Sequence, residues 1–422
     1  MSLRSFLRWW PRSPSGEHDQ RTSLTSALSI RVVPAYLDHA ATTGLSSSAQ
    51  AAMAAEAKVV GNPSSLHAAG RAARSLVEAA RERIAAAFGA TPGDVVFTSG
   101  ATEANNLAII GIYRARSAAD PRRRLVIASP TEHHAVLEAI DSLVAHESAQ
   151  VHWLAVDSAG CIDLDDLASA LDGTSDVLPA LVAVMAANNE TGTRQPLAAI
   201  ARWCREVGVP WHCDAVQEAA WSRVSFSDLG CSTMAISAHK LGGPVGIGAL
   251  FISAGVEVQP ISFGGGQERK VRSGTLNAAA SAGFAAAVNE CLQWIDAGGP
   301  DQVEQLRRSL IDAVTELDPT AQVNGGEQVL PSIANITFPG CDADALLMLL
   351  DAAGVYCSLG AACAAGVPEP SHVLLAMGAG DDAARSSLRF SLGATSTAED
   401  VSALVDALPA ALTKARVAVM NR

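Results

Sequence analysis

The sequence contains no CxxC pair and no spacing of cysteine with histidine that would form a zinc site. Its eight cysteines are scattered through 422 residues, which excludes the small disulfide-framed proteins and predicts a reducing compartment. Basic residues are too few to balance the acidic ones, so the formal net charge is -13. Nucleic acids and anionic membranes attract proteins with a positive field, so we expect neither as a partner.

The chain also lacks an apolar run long enough for a secretory signal or a membrane span. Its first 33 residues differ from the rest in having Arg4, Arg8 and Arg12 and no acidic residue before Glu17. We interpret 1–33 as a flexible N-terminal extension and expect a cytoplasmic protein, with organelle targeting by this extension as the alternative.

The remaining composition, in a chain that is 49% hydrophobic and 17% charged, predicts a large buried core and either two domains or one large domain with a small satellite domain. Between about 94 and 252, short apolar runs alternate with polar clusters and alanine-rich stretches. This alternation predicts an α/β fold with a mostly parallel sheet and helices on both faces. Alternating strands near 332–338 and 388–391 predict a smaller α+β domain. We therefore predict a large domain at 51–290, a small domain at 291–422 and a segment at 34–50 that packs with the small domain.

Polar clusters follow five of the predicted strands of the large domain. Ligands of open α/β sheets bind at the carboxyl ends of the strands, so we expect these clusters to form one site. The clusters lie at 99–103, 131–134, 188–192, 214–217 and 237–240.

Lys240 follows a predicted buried strand, and two interpretations of it compete. A lysine usually extends its stem along the protein and keeps its amine in water. The alternative is an amine that forms a Schiff base with an aldehyde cofactor.

The cluster 99–102 would bind a phosphate at a helix start, although a capping box has the same pattern. If the aldehyde cofactor is pyridoxal phosphate, Asp214 would pair with its protonated pyridine nitrogen. The alternative role of Asp214 is to cap a helix.

Two further polar residues fit the same cofactor. Gln217 would hydrogen-bond a ring hydroxyl. His133 would stack on the ring and move protons, although a lone histidine is more often structural and His134 is a neighbouring candidate.

A series of short motifs resembles the pyridoxal-phosphate-dependent cysteine desulfurases, within the class V aminotransferase group. In chain order these are YLDHAATT at 36–43, GNPSSLH at 61–67, TSGATEANN at 98–106, TEH at 131–133, NNETG at 188–192, DAVQ at 214–217, AHK at 238–240, RSGT at 272–275 and RFSLG at 389–393. The resemblance covers about 36–392. It implies the type I fold of pyridoxal-phosphate enzymes.

The resemblance also implies roles for single residues and no metal site. Lys240 corresponds to the Schiff-base lysine, His133 to the ring-stacking acid and base, Asp214 to the partner of the pyridine nitrogen, and Gln217 to the contact of the ring oxygen. Binding of the cofactor is further implied for Ala101, Thr102, Asn189, Ser237 and His239. Thr275 corresponds to a residue that reaches the phosphate of the other subunit, which implies a homodimer. Arg389 and Asn189 correspond to the residues that bind the substrate carboxylate.

By the same resemblance Cys363 is the thiol that accepts sulfur. It lies in a stretch of small residues, and its distance from the sequence EPS at 369–371 selects it over Cys357, which follows apolar residues and is predicted to belong to the core. Ala361, Ala364 and Ala365 replace residues that are often Ser or Thr in the family.

The function implied is removal of sulfur from L-cysteine, which gives L-alanine and a persulfide on Cys363 for an acceptor protein. The alternatives are a selenocysteine lyase or another class V enzyme, and an inactive interaction subunit. Iron-sulfur cluster assembly, tRNA thiolation, DNA sulfur modification and secondary metabolism remain open as destinations of the sulfur.

Overall fold

The computed structural model of the chain describes residues 34–174, 176–360 and 369–420. Its strands are β1 Ala35–Tyr36, β2 Val95–Thr98, β3 Arg123–Ala128, β4 Gln150–Trp153, β5 Leu178–Ala183, β6 Trp211–Asp214, β7 Thr233–Ser237, β8 Gly248–Ile252, β9 Gln322–Asn324, β10 Ile333–Thr337, β11 Val355–Tyr356 and β12 Ser387–Ser391. Its helices are α1 Ser47–Glu56, α2 Ala68–Ala87, α3 Ala101–Ala119, α4 His134–Glu147, α5 Leu164–Asp172, α6 Leu197–Val207, α7 Phe226–Leu229, α8 Ala278–Asp296, α9 Gly299–Leu317, α10 Ala343–Ala352, α11 His372–Ala376, α12 Asp381–Ala384 and α13 Ala398–Met420.

The central sheet has seven strands in the order β2-β8-β7-β6-β5-β3-β4. Strands β3 to β7 pair in parallel, whereas β8 is antiparallel to both of its neighbours. Since β2 and β7 are both antiparallel to β8, β2 runs in the same direction as β7. The carboxyl ends of β2, β3, β5, β6 and β7 therefore meet at one edge of the sheet. The predicted α/β architecture with a mostly parallel sheet is confirmed.

Alternate residues along the strands enter two different hydrophobic clusters, because successive side chains of a strand point to opposite faces. In β2, Val95 and Phe97 belong to one cluster and Val96 to the other. In β5, Val182 and Leu181 are divided in the same way. Both faces of the sheet are thus buried, which explains why the strands are continuous apolar runs in the sequence.

A three-stranded antiparallel sheet, β12-β10-β9, lies in the second half of the chain. The N-terminal strand β1 pairs in parallel with β11, and Asp38 forms a bridge with Ser391 at the end of β12. The first described residues of the chain are thereby joined to the last third of it. The boundaries at 50 and 290 remain a prediction.

The strand β5 begins at Leu178. It includes Pro179, which has no N–H for the ladder. Pairing with β6 starts only at Val182, and the pairing with β3 has irregular register opposite Pro179. The sheet accommodates the proline at this irregularity. Within the described ranges, no helix is long and apolar enough to cross a membrane.

Candidate active site

A cavity of about 450 Å³ lies at the carboxyl edge of the central sheet. Its volume is in the usual range for a small-molecule site. Ten of the residues predicted from the sequence line it, namely Ala101, Thr102, His133, Asn189, Asp214, Gln217, Ser237, His239, Lys240 and Arg389. The structure therefore brings together nine residues between 101 and 240, as the parallel strands predict, and adds Arg389 from β12 of the three-stranded sheet.

Two predicted site residues are not among these ten. Thr275 is exposed and follows Gly274, and it is not one of the described residues that line the cavity. Its role at the phosphate of another subunit stays a prediction. Cys363 lies outside the described residues, whereas Gly360 lines the cavity.

Lys240 is held at the cavity by backbone carbonyl groups of the N-terminal segment. It ends a short 3-10 helix that follows β7. Its Nζ donates to the carbonyl oxygen of Ala40 and, at 2.7 Å, to that of Ala41. Gln217 Nε2 also donates to Ala40 O, at 3.0 Å. The Lys240 amine is therefore held at the cavity by two carbonyl groups, while the residue as a whole is half-buried.

The N-terminus of α3 forms an anion cradle. Gly100 precedes α3 with φ of 155° and gives the helix no side-chain cap, and Ala101 and Thr102 start its first turn. The first N–H groups of a helix without such a cap can bind an anion, and the helix dipole favours negative charge there. Gly248 packs against this turn, since any Cβ on it would lie 2.8 Å from the Gly100 carbonyl carbon.

Asp214 is fixed by a chain of buried hydrogen bonds. Asn105 Nδ2 donates to Asp214 Oδ2 at 2.6 Å, and Val216 N donates to Oδ1 at 3.0 Å. His212 Nε2 lies 2.9 Å from Asn105 Oδ1, and its Nδ1 lies 2.9 Å from Thr233 Oγ1. Burial lowers the pKa of His212 to about 4, so its imidazole is neutral. Because Asn105 Oδ1 can only accept, the His212 hydrogen is on Nε2.

Sequence reasoning missed Asn105 and His212, although both lie inside or next to motifs that it singled out. Asn105 is four residues after Ala101, which is one helical turn further along the same face of α3. His212 is two residues before Asp214 on β6, so both side chains point to one face of the sheet. These two spacings are the features of the sequence from which Asn105 and His212 could have been identified as site residues.

His133 caps α4, and Ala135 N donates to its Nδ1 at 3.0 Å. Burial is the main reason that the pKa of His133 is lowered, and the nearby Asp214 opposes this effect. A neutral His133 whose Nδ1 accepts carries its hydrogen on Nε2. His134 does not face this cavity and instead packs against His372, with ring centroids 4.7 Å apart.

His239 and Ser237 complete the side of the cavity formed by the end of β7. Burial and the neighbouring Lys240 lower the pKa of His239 to about 4, so this ring is neutral. Its Nδ1 lies 3.1 Å from Thr42 Oγ1. Ser237 is buried at the last position of the strand.

Arg389 is buried and lines the cavity from β12. Its Nη2 donates to Asp38 Oδ1 at 2.8 Å, and its Nη1 donates to the Asn189 carbonyl oxygen at 2.9 Å. Its Nε is buried and has no hydrogen-bond partner within the described part of the chain. Buried polar groups are normally satisfied, so the guanidinium has capacity for a ligand oxygen. Sequence reasoning also missed Asp38, which stands 351 residues from Arg389.

The residues present fit pyridoxal phosphate. The α3 cradle suits its phosphate, the fixed Asp214 carboxylate suits a protonated ring nitrogen, and the amine of Lys240 suits its aldehyde. These three groups and Arg389 face one cavity.

Comparison with known proteins gives a consistent family. The family described as aminotransferase class-V matches residues 35–404. An IscS-like cysteine desulfurase of Mycobacterium tuberculosis is 46% identical over 389 residues, which cover 92% of this chain and 98% of that protein. A solved NifS-like protein is 32% identical with a TM-score of 0.82, and the match covers 90% of this chain and 100% of that protein's chain. A solved structure of SspA in complex with cysteine is 30% identical with a TM-score of 0.73, over 86% and 99% of the two chains.

Proposed function

Because the chain belongs to the class V aminotransferase family and is a cysteine desulfurase, we propose that it converts L-cysteine to L-alanine with pyridoxal 5′-phosphate as cofactor. The observation that carries this proposal is the single cavity in which Lys240, Asp214 and Arg389 converge. The carboxyl edge of the sheet, where these residues meet, is also where α/β enzymes bind their ligands.

When bound, the cofactor supplies an electron sink that stabilises negative charge at the substrate Cα. Lys240 would hold it covalently through Nζ, and the first turn of α3 with Thr102, Ser237 and His239 would hold its phosphate. The Asp214 carboxylate favours a proton on the ring nitrogen, because opposite charges stabilise each other in a buried site. Asn105 and Val216 fix the direction of this carboxylate.

His133 would contribute a hydrogen-bond donor to the site. Its Nδ1 is engaged by the Ala135 amide, which leaves the Nε2–H group to donate a hydrogen bond. The lowered pKa keeps the imidazole neutral near pH 7. His133 would therefore act as an acid only after it has itself taken up a proton.

Arg389 would bind the substrate carboxylate, with Asn189 beside it. Asp38 and the Asn189 carbonyl already orient two of the guanidinium nitrogens, so little reorganisation is needed on binding. A charge-assisted pair of this kind fixes the amino acid in one orientation.

We predict that Asp38→Asn raises the KM for L-cysteine about tenfold and changes kcat less than about threefold, because Asp38 orients Arg389 and does not reach the reacting atoms. Steady-state kinetics checks this split. The control is Asp296→Asn, which removes an exposed ion pair with Arg223 and should change neither constant. A fall in kcat with constant KM would contradict the orienting role.

Cys363 would accept the sulfur. Its thiolate attacks the substrate sulfur, the C–S bond breaks and its electron pair stays with the substrate carbon, which then takes up a proton to become alanine. The products are one alanine and one enzyme persulfide, and no external oxidant is needed. Burial raises the pKa of all seven cysteines that the structure describes, to about 12 for Cys204, Cys291 and Cys357, which makes them poor nucleophiles. This supports Cys363 as the acceptor.

A homodimer is the second part of the proposal. Of the large apolar side chains that the structure describes, the four most exposed are Val60 (87%), Leu66 (89%), Val245 (79%) and Phe263 (84%). Val245 also lines the catalytic cavity, so a partner subunit that covers Val245 would border the site. The exposed Thr275 is available for the phosphate of the partner subunit.

Product analysis of the full chain loaded with pyridoxal phosphate tests the proposal. Without reductant, each subunit should release about one alanine from L-cysteine, because the persulfide blocks a second sulfur transfer. Adding dithiothreitol should give continuous, equal release of alanine and sulfide. L-selenocysteine is the comparison substrate.

Turnover of selenocysteine alone would favour a selenocysteine lyase. Release of 3-mercaptopyruvate with transfer of the amino group to an added 2-oxo acid would indicate an aminotransferase, and no product from either substrate would indicate an inactive interaction subunit.

A further inference from the structure

An ion pair lies at the phosphate cradle of α3. Arg272 Nε donates to Glu103 Oε1 at 2.8 Å, and Arg272 Nη2 donates to Glu103 Oε2 at 3.3 Å. The two side chains are 18% and 20% exposed, so the pair is partly shielded from water. Glu103 belongs to the first turn of α3 and lines the catalytic cavity. A carboxylate therefore stands in the same turn that would bind the cofactor phosphate.

Glu103 keeps its negative charge at this position. Burial alone would favour the neutral carboxyl, but hydrogen bonds from Arg272 and from the Ser99 N–H outweigh burial and lower the pKa of Glu103. The Ser99 N–H donates to Glu103 Oε2 at 2.5 Å. A glutamate at the third helical position commonly reaches back in this way to a free N–H at the helix start. An anionic ligand needs the same end of the helix, so Glu103 and a phosphate compete for it.

A tight turn brings Arg272 to this place. Glu268 N donates to the Arg272 carbonyl oxygen at 3.0 Å, and Arg272 N donates to the Glu268 carbonyl oxygen at 3.3 Å. Between them, Arg269 and Lys270 have φ of 51° and 63°, a conformation that is uncommon for residues other than glycine. Any Cβ at Gly274 would lie 3.3 Å from Arg272 Nη1, so the glycine leaves room for the guanidinium.

Glu268 fastens this turn to β2, the strand that leads into the cradle. Its side chain is buried, and its Oε2 accepts from Phe97 N at 3.1 Å. Arg81 of α2 donates to both of its oxygens, at 2.8 and 2.7 Å. Three hydrogen bonds to one buried carboxylate fix its direction. Since β2 continues into the start of α3, both partners of the Arg272–Glu103 pair are fixed to the same strand.

We propose that Arg272 is a positioning residue for cofactor binding, because its two hydrogen bonds hold and neutralise the Glu103 carboxylate at the phosphate cradle. This inference rests on the proposed binding of pyridoxal phosphate in this cavity. Without the guanidinium, Glu103 would be an uncompensated negative charge in the first turn of α3. It would repel a phosphate and would itself compete for the helix start. Arg272 therefore acts on the phosphate through Glu103 and contributes nothing to the binding of the pyridine ring.

The test measures cofactor affinity instead of activity. The full chain, freed of cofactor, is titrated with pyridoxal phosphate and, in parallel, with pyridoxal, which has the same ring and aldehyde but no phosphate. Arg272→Ala should weaken the binding of pyridoxal phosphate about tenfold and that of pyridoxal less than about twofold, because only the phosphate meets the exposed charge. Combining Glu103→Gln with Arg272→Ala removes that charge, so the double variant should return to within about threefold of the wild-type affinity.

Two further variants accompany these. Arg307→Ala is the matched control, since it breaks an ion pair with Glu304 on α9 whose side chains are 12% and 22% exposed, and it should change neither affinity. Glu103→Gln alone should bind pyridoxal phosphate at least as tightly as the wild type, because the Arg272 charge is then uncompensated. This variant tests the inference even where Arg272→Ala fails to fold.

Four results would overturn the inference. They are wild-type affinity for pyridoxal phosphate in Arg272→Ala, equal weakening of pyridoxal phosphate and pyridoxal, weakened binding that persists in the double variant, and loss of affinity in Glu103→Gln. Persistence in the double variant would mean that Arg272 acts by another route, such as the placement of Thr275. Failure of the proposed function is recognised separately in the wild-type chain, which would then form no covalent adduct between pyridoxal phosphate and Lys240.

Discussion

Lys240→Ala is expected to abolish the covalent link between protein and cofactor and to lower alanine production by about 10³-fold or more, the scale of losing both a nucleophile and a proton-transfer group. The chain has four lysines, and the other three, Lys58, Lys270 and Lys414, are exposed. Of the lysines that the structure describes, only Lys240 lines the catalytic cavity. Reduction with borohydride followed by mass spectrometry checks the result, because a reduced covalent adduct should be found on Lys240 in the wild-type chain and on no residue of the variant.

The control is Lys414→Ala, on the exposed side of α13, which should retain the adduct and full activity. Fold integrity of the Lys240 variant is checked by circular dichroism and by the absorbance of cofactor that binds without a covalent link. A covalent adduct on another lysine of Lys240→Ala would refute the assignment of this residue.

The position of the site could be predicted from the sequence because it depends on local patterns and on one topological rule. Apolar runs mark the strands, polar clusters follow them, and parallel strands bring those clusters to one edge. Predicting where the site lies required knowledge of neither the side-chain packing nor the exact register of the strands. The antiparallel β8 did not disturb this rule, because it restores the direction of β2.

The contacts that tune the site could not be predicted in the same way. Asp38 orients Arg389 across 351 residues, and no local pattern indicates such a pair. Asn105 reads as an ordinary polar residue of a helix until its amide is seen to bridge His212 and Asp214. Pro179 lies within β5, where the irregular register with β3 accommodates it, although a strand pattern in a sequence normally ends at a proline.

Cys363→Ser is expected to abolish persulfide formation and to lower sulfide release by about 10³-fold or more, since a hydroxyl at this position is not ionised near pH 7 and is a far weaker nucleophile than a thiolate. The groups that bind and activate L-cysteine stay in place, so the absorbance change on adding the substrate should persist at its wild-type rate. Stopped-flow absorbance and mass spectrometry of the quenched protein measure the two events in one sample.

Cys357→Ser is the matched control, because Cys357 lies only six residues away and is the described cysteine nearest in sequence. Burial raises its pKa to about 12, so less than about one thiol in 10⁴ is ionised at pH 7 and its loss should leave sulfide release unchanged.

Full activity of Cys363→Ser together with loss of activity in Cys357→Ser would move the sulfur acceptor to Cys357. Because a thiolate must form before it can attack, that outcome would require a cation or helix end near Cys357 that overcomes its burial. Among the described neighbours, Arg389 lowers this pKa, but desolvation and the opposing charge of Asp38 have larger effects. The electrostatic surroundings of Cys357 therefore argue against Cys357 as the sulfur acceptor independently of the family resemblance.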